Sequence, residues 1–292
     1  MQYRGLFVGL VTLDILYLSD RSLEKNHKIV AQDYLTVGGG PATNAAVAFN
    51  YLGNQSQLIT VLGQHPLTQL IRNDLAQHSV EIVDLIPQKT EPPVISSIIV
   101  TSTTGERAVI SINAVKSQVE NLSFPDLLKE TDIVLVDGHQ LPISLVIAKI
   151  AQARQIPIVM DGGSWKSGLE VILPFVDYAI CSANFYPPQC KSTDDVFYFL
   201  QEQGISQIAI TNGANPIQYL TKGKRSTLPI PAIKTVDTLG AGDIFHGAFC
   251  HYILQSDFAS ALGSAVKVAS KSCQFFGTRS WMKSSDIIFF NK

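Results

Sequence analysis

The chain has 292 residues, 46% hydrophobic and 16% charged, with 22 basic and 24 acidic residues leaving a formal charge of −2 at pH 7. That length holds one large α/β domain or two ordinary ones, and charge well below the usual quarter of residues points to surface covered by a second subunit. The near-neutral balance without a Lys/Arg run excludes a nucleic-acid tracker, the lack of an apolar run of roughly 18 residues excludes a membrane helix, and four scattered cysteines suit a soluble, reduced, cytoplasmic protein.

The stretch from Leu6 to Leu18 could pass for a leader, but Asp14 interrupts it and no small-residue cleavage site follows. LFVGLVTLD therefore reads as a buried first strand that ends at Asp14. A β-like pair flanks Ser19 to Lys28, and VGGGPATNAAVAFNYLG, from Val37 to Gly53, sets glycines before a small-residue helix. Pro93 to Thr101 and Arg107 to Ile112, rich in Ile, Val, Ser and Thr and separated by STTGE, read as a hairpin. These pieces predict a small antiparallel lid from about 15–36 and 92–113.

From about residue 132 the pattern changes to βαβα order. Ile133 to Val136, Ile156 to Met160, Tyr178 to Cys181 and Ile208 to Thr211 read as strands, with Pro142 to Arg154 and Asp194 to Gln203 as crossover helices. Ala241 to Leu254 and Phe258 to Phe275 close the chain as helices. The expected fold is α/β, a doubly wound, mostly parallel sheet flanked by helices and covered by the lid. No repeat or long linker divides it, so residues 1–292 read as one domain.

The string with most chemistry is TVDTLGAGDIFHGAF, from Thr235 to Phe249, where Gly240, Ala241 and Gly242 open into a helix carrying Asp243 in its first turn. Free N–H groups at such a start bind anions, and glycine lets a phosphate approach the backbone. A carboxylate beside a bound anion is suited to taking a proton from an attacking hydroxyl. The helix start would also hold Asp243 ionised at neutral pH without further tuning. The plain alternative is a tight turn with an ordinary first-turn carboxylate.

Other phosphate-binding patterns are missing. There is no GxxxxGK[ST], and no HRD, DFG or AxK set. Gly38 and Gly40 are followed by Thr43 where a dinucleotide fingerprint wants a small third residue, with no acid about 20 positions on.

The full string from Thr235 to Phe249 resembles the signature of the ribokinase-like (PfkB) carbohydrate kinases, closest in flavour to ketohexokinase-like members. The resemblance implies ATP-dependent phosphorylation of a hydroxyl on a sugar or sugar-like alcohol, with ATP and Mg²⁺ as cofactors. It makes Asp243 the general base and Gly240 to Asp243 the anion hole. It places Asp14, Gly39, Gly40 and Asn44 at the substrate, with Asn44 able both to donate to and accept from a hydroxyl. It places Arg107, Thr211, Gly213 and Cys273 at the nucleotide, and Asp237 at a monovalent cation such as K⁺.

Two departures stand out. Ser182, Ala183, Asn184, Phe185 replaces the family's Asn-x-x-Glu, so Mg²⁺ would rest on ATP phosphates and water; Asp161 in DGGSWK could assist, and no ligand is assigned. Pro41 stands where ketohexokinases carry a sugar-contacting Asn, which argues against fructose. His139 and Lys166, at two expected strand ends, are candidates to read substrate or phosphate. The readings from other classes are a nucleoside kinase of the adenosine type and a non-catalytic nucleotide- or metabolite-binding member of the fold. A homodimer through the lid is expected.

Overall fold

The computed structural model describes residues 2–112, 119 and 128–284. Position 113, the last of the expected lid, lies outside the described residues. Among these, one sheet has nine strands and a second has four.

In the larger sheet β1 (Arg4–Val8), β4 (Gln55–Thr60), β5 (Glu81–Asp84), β8 (Ile133–Val136), β9 (Ile158–Gly162), β10 (Tyr178–Ser182) and β11 (Gln207–Asn212) run parallel. An antiparallel hairpin, β12 (Asn215–Thr221) and β13 (Lys224–Leu228), extends one edge, giving the order β13-β12-β11-β10-β9-β8-β1-β4-β5. The central parallel strands β1, β8, β9 and β10 are buried on both faces, which is why they read as largely apolar runs. Their period of two splits the core: Phe7, Ile133, Leu135, Val159 and Ile180 face one cluster, Leu6, Val8, Val134, Val136 and Met160 the other.

The first face is covered by α1 (Pro41–Tyr51), α2 (Thr68–Gln77), α5 (Ala241–Ile253) and α6 (Phe258–Ser272), the second by α3 (Leu141–Ala153) and α4 (Thr193–Glu202). Sequence signals set the helix starts. Ser192 and Asp195 form a reciprocal capping box on α4, and Asp257 accepts from Ser260 N at 3.0 Å to start α6.

The second sheet is the lid: β2 (Thr12–Ser19), β3 (Asp33–Gly39), β6 (Val94–Thr101) and β7 (Arg107–Ser111), in the order β3-β2-β6-β7. Its pairs β2/β3 and β6/β7 are antiparallel, but β2 and β6 run parallel, so the lid is mixed rather than wholly antiparallel. Leu16, Val37, Ile98 and Val100 form its own small core, against which Leu239 and Phe276 of the main body pack.

One expectation is corrected here. LFVGLVTLD is not a single strand: β1 ends at Val8, the chain turns, and β2 begins at Thr12 in the other sheet. Asp14 therefore sits within a lid strand and not at the end of the first strand. An apolar run cannot reveal this break, because both halves are equally buried. The first piece of the expected lid widens to Thr12 and Gly39 and the second narrows to Val94 and Ser111, so Asp14 and Gly39 both belong to lid strands.

Candidate active site

The helix start expected at Gly240 is present. Gly240 caps α5 with φ 67°, and a Cβ there would lie 2.6 Å from Thr278 Cγ2, so both backbone shape and space require glycine. The N–H groups of Ala241, Gly242 and Asp243 fall in the first turn, where a helix offers no internal acceptors of its own. Ala241 N reaches back to Thr238 O at 3.3 Å, whereas Gly242 is exposed and a Cβ on it would meet nothing within 4 Å. Open space thus stands beside the helix start, as an anion site needs.

Asp243 is partly buried, and its Oδ2 accepts from Asn44 Nδ2 at 2.8 Å, across 199 positions of sequence. That bond joins the two glycine-rich signatures. Burial pushes the Asp243 carboxyl up to about 6, aided by the negative charge of Asp161 and, more weakly, Asp14; the Asn44 bond and His246 oppose the rise. The sequence reading of an untuned carboxylate is therefore corrected: burial, with the charges of Asp161 and Asp14 added to it, outweighs the helix start.

The other candidate substrate residues lie around the same point. Gly40, φ 103°, caps α1, and a Cβ there would stand 2.3 Å from Leu10 O. Asp14 is buried, accepts from Thr12 Oγ1 at 2.6 Å, and presses so close to Gly39 that a Cβ on Gly39 would be 1.9 Å from Asp14 Oδ2. Burial raises the Asp14 carboxyl, against the bonds from Thr12 and Ser96 and the charge of Arg279.

On the far side of Gly240 the lid touches the main body. Arg107 of β7 donates to Thr238 Oγ1, and a Cβ on Gly105 would lie 2.8 Å from Thr235 Cγ2. Asp237 is buried and accepts from Leu239 N at 2.8 Å and Gly277 N at 2.9 Å, so its carboxylate ties two loops together. Burial raises its carboxyl against those two bonds. Cys273 ends α6, and its carbonyl accepts from Val236 N at 2.8 Å and Asp237 N at 3.2 Å. Thr211, next to last in β11, donates to Cys181 O at 3.4 Å, and Gly213 follows the strand in a turn with φ 55°. Those bonds link Thr211 to the sheet rather than to Asp243 or Asn44.

His139 and Lys166 serve Asp137. His139 Nδ1 stands 3.1 Å from Asp137 Oδ1, while Leu10 N and Ala42 N donate to Oδ2 at 2.9 and 3.2 Å. Burial works to raise the Asp137 carboxyl, but His139, the Leu10 N–H and Lys166 together hold it down at about 2. Asp161 pairs with His246, 3.4 Å from its Nδ1. Among the described residues no group of three or more His, Cys, Asp or Glu comes together to hold a metal ion.

Sequence reasoning missed Arg279. Its guanidinium is buried, donating from Nη1 to Asn44 Oδ1 at 2.9 Å and from Nη2 to Gly38 O at 2.6 Å and Asp74 Oδ2 at 3.1 Å. It follows Thr278, in a segment anchored by the fully buried Trp281, whose Nε1 donates to Thr278 O at 3.0 Å. No motif marked it; the one available signal was an Arg set among apolar and small residues near the end of the chain.

The chain is 26% identical to the ribokinase of Lactococcus lactis over 290 residues, covering 94% of this chain and 92% of the relative. It is 23% identical to the ribokinase of Bacillus subtilis, covering 94% of each. Its fold matches the solved ribokinase of Arabidopsis thaliana, complexed with ribose and ATP, with a TM-score of 0.74, 21% identity, and coverage of 98% of this chain and 100% of that one. The model of the pfkB family carbohydrate kinases matches residues 6–284, nearly the whole chain, and the protein accordingly belongs to that family of phosphotransferases acting on hydroxyl groups.

Proposed function

We propose that the protein transfers the γ-phosphoryl group of ATP to a hydroxyl of a free sugar or sugar-like alcohol, with Asp243 as general base. The observation that carries this reading is the 2.8 Å bond from Asn44 to Asp243, which sets the glycine loop of α1 against the start of α5. A sugar lying over Gly39 and Gly40 would meet Asp14 and Asn44 on one side and the open space beside Gly242 on the other. The attacking hydroxyl gives its proton to Asp243 as its oxygen bonds to phosphorus, and the bond to the ADP oxygen breaks. First-turn N–H groups of α5 favour the charge on the phosphoryl oxygens.

Arg107, Thr211, Gly213 and Cys273 are assigned to the nucleotide side on the resemblance of their motifs. Arg107 carries the best geometric support, since it reaches from the lid to the loop before Gly240. Mg²⁺ would rest on the ATP phosphates and water, and it would supply charge neutralisation. A K⁺ site near Asp237 remains part of the proposal, although both carboxylate oxygens already hold amides. The lid excludes water from the transfer. Its exposed apolar side chains, Tyr34 at 67% and Ile110 at 72%, together with Ile112 just past β7, support a homodimer through this sheet, which a monomeric mass by light scattering would remove.

The test is ADP release from Mg²⁺-ATP across ketoses, aldoses including ribose, nucleosides and sugar phosphates, with and without K⁺, for wild type and Asp243→Asn. A substrate-dependent signal, lowered by about 10² or more in the variant, is expected. Near-normal turnover by Asp243→Asn would remove the base, and a signal from nucleosides alone would replace the sugar.

A further inference from the structure

An amide side chain can face a neighbour with either its carbonyl or its NH₂, and the choice changes the sign of the interaction. Asn44 stands between two groups that permit one choice only. Arg279 has donors and no acceptor, so at 2.9 Å it must meet Asn44 Oδ1; an ionised Asp243 only accepts, so at 2.8 Å it must meet Asn44 Nδ2. With Arg279 gone, the amide is free to turn. A turned amide sets Oδ1 against the carboxylate, which is repulsive unless Asp243 carries a proton.

Arg279 is itself held tightly. Nη1 also donates to Thr278 Oγ1 at 3.0 Å, and Nη2 bonds both Gly38 O and Asp74, whose Oδ2 in turn accepts from Gly38 N at 3.0 Å. Arg279 and Asp74 thus grip Gly38 by both its backbone groups, one residue ahead of the glycine pair. Thr278 packs on Gly240, so the same segment touches both glycine-rich starts. Because Asp74 offsets the Arg279 charge at close range, its reach toward Asp243 runs chiefly through Asn44.

We propose that Arg279 is a positioning residue for Asp243: it fixes the Asn44 amide so that the N–H, not the carbonyl, faces the carboxylate, which keeps that carboxylate ready to accept a proton. The proposal rests on the reading of Asp243 as base. The groups that also act on Asp243 are Asp161 of β9, Asp14 of β2 and His246 on its own helix; of these only Asp14 feels Arg279, whose loss favours the protonated, neutral Asp14 and so works against the rise expected at Asp243.

The experiment is a carbon-13 titration of the Asp243 carboxyl in the ligand-free protein labelled at aspartate Cγ, with the signal assigned from Asp243→Asn. Arg279→Met and Asn44→Ala should each raise the midpoint above about 6, by roughly half a pH unit or more. The double variant should move it no further than Asn44→Ala alone, since the path runs through that amide. Equal midpoints in wild type and Arg279→Met, or shifts that add in the double variant, would overturn the proposal. Should Arg279→Met fold poorly with Asp74 left unpaired, the pair Asp74→Asn with Arg279→Met removes both charges and carries the same comparison. Turnover of Asp243→Asn is measured alongside with Mg²⁺-ATP and the most active sugar of the panel. Retained turnover there defeats the base reading alone; an unmoved midpoint with an inactive Asp243→Asn defeats the positioning role alone.

Discussion

Replacing Asp243 by Asn should abolish turnover and yet make the ligand-free protein more heat-stable. Burial and two neighbouring acids raise the Asp243 carboxyl from 3.8 to about 6. A carboxyl raised on folding binds more protons in the native than in the unfolded state, so it destabilises the fold as pH climbs from 3.8 through 6 and does so fully above that. The shift corresponds to about 3 kcal/mol, reduced to about 2 because the side chain is still reached by solvent. Asn is neutral, and its carbonyl still accepts from Asn44, so this penalty disappears. Spread over a chain of this length, about 2 kcal/mol raises Tm by roughly 3–4 °C. Thermal unfolding of wild type and variant without ATP or sugar, at pH 8 and pH 5, reads the effect, and the gain should fall to about half at pH 5. An unchanged or lower Tm at pH 8, or a gain independent of pH, would refute the claim that the base is held in a strained, desolvated state.

The same carboxyl predicts that kcat falls about tenfold per pH unit below about 6, because only ionised Asp243 accepts the proton; a flat profile down to pH 5 contradicts it. Gly39→Ala puts a methyl 1.9 Å from Asp14 Oδ2 and should raise the sugar KM about tenfold while ATP binding, followed by calorimetry, is kept. Asp137, held at about 2, contributes stability that is fully present above 3.8 and lost as pH falls toward 2. Asp137→Asn should therefore cost about 2 kcal/mol in urea unfolding at pH 7, and about half of that at pH 3. Trp281→Ala, at a fully buried site, should cost about 3–5 kcal/mol and weaken turnover through the Arg279 segment; a loss under 1 kcal/mol would show the segment is not anchored there.

The regular part of the fold was legible because its signals are local. Ile133 to Val136 is a strand at the expected bounds, and α5 starts at Ala241 as GAGD implies. The two glycine signatures likewise fall where their patterns put them. Hairpin β12–β13 and the break between β1 and β2 were not singled out. The first carries alternation too weak to stand out, and the second lies inside one continuous apolar run whose halves join different sheets.

The residue sequence by itself determined the class of fold, the helix start that can bind an anion and the acid placed on it, because each of these depends on neighbours a few positions apart. The tertiary structure decided what that acid is like and what holds it. Asn44 reaches Asp243 across 199 positions, and Arg279 reaches Asn44 across 235. Asp161 and Asp14 come from two different sheets to raise its carboxyl. Desolvation and charge depend on distance in space, and only packing α1, α5 and the lid around one point brings those groups within range of each other.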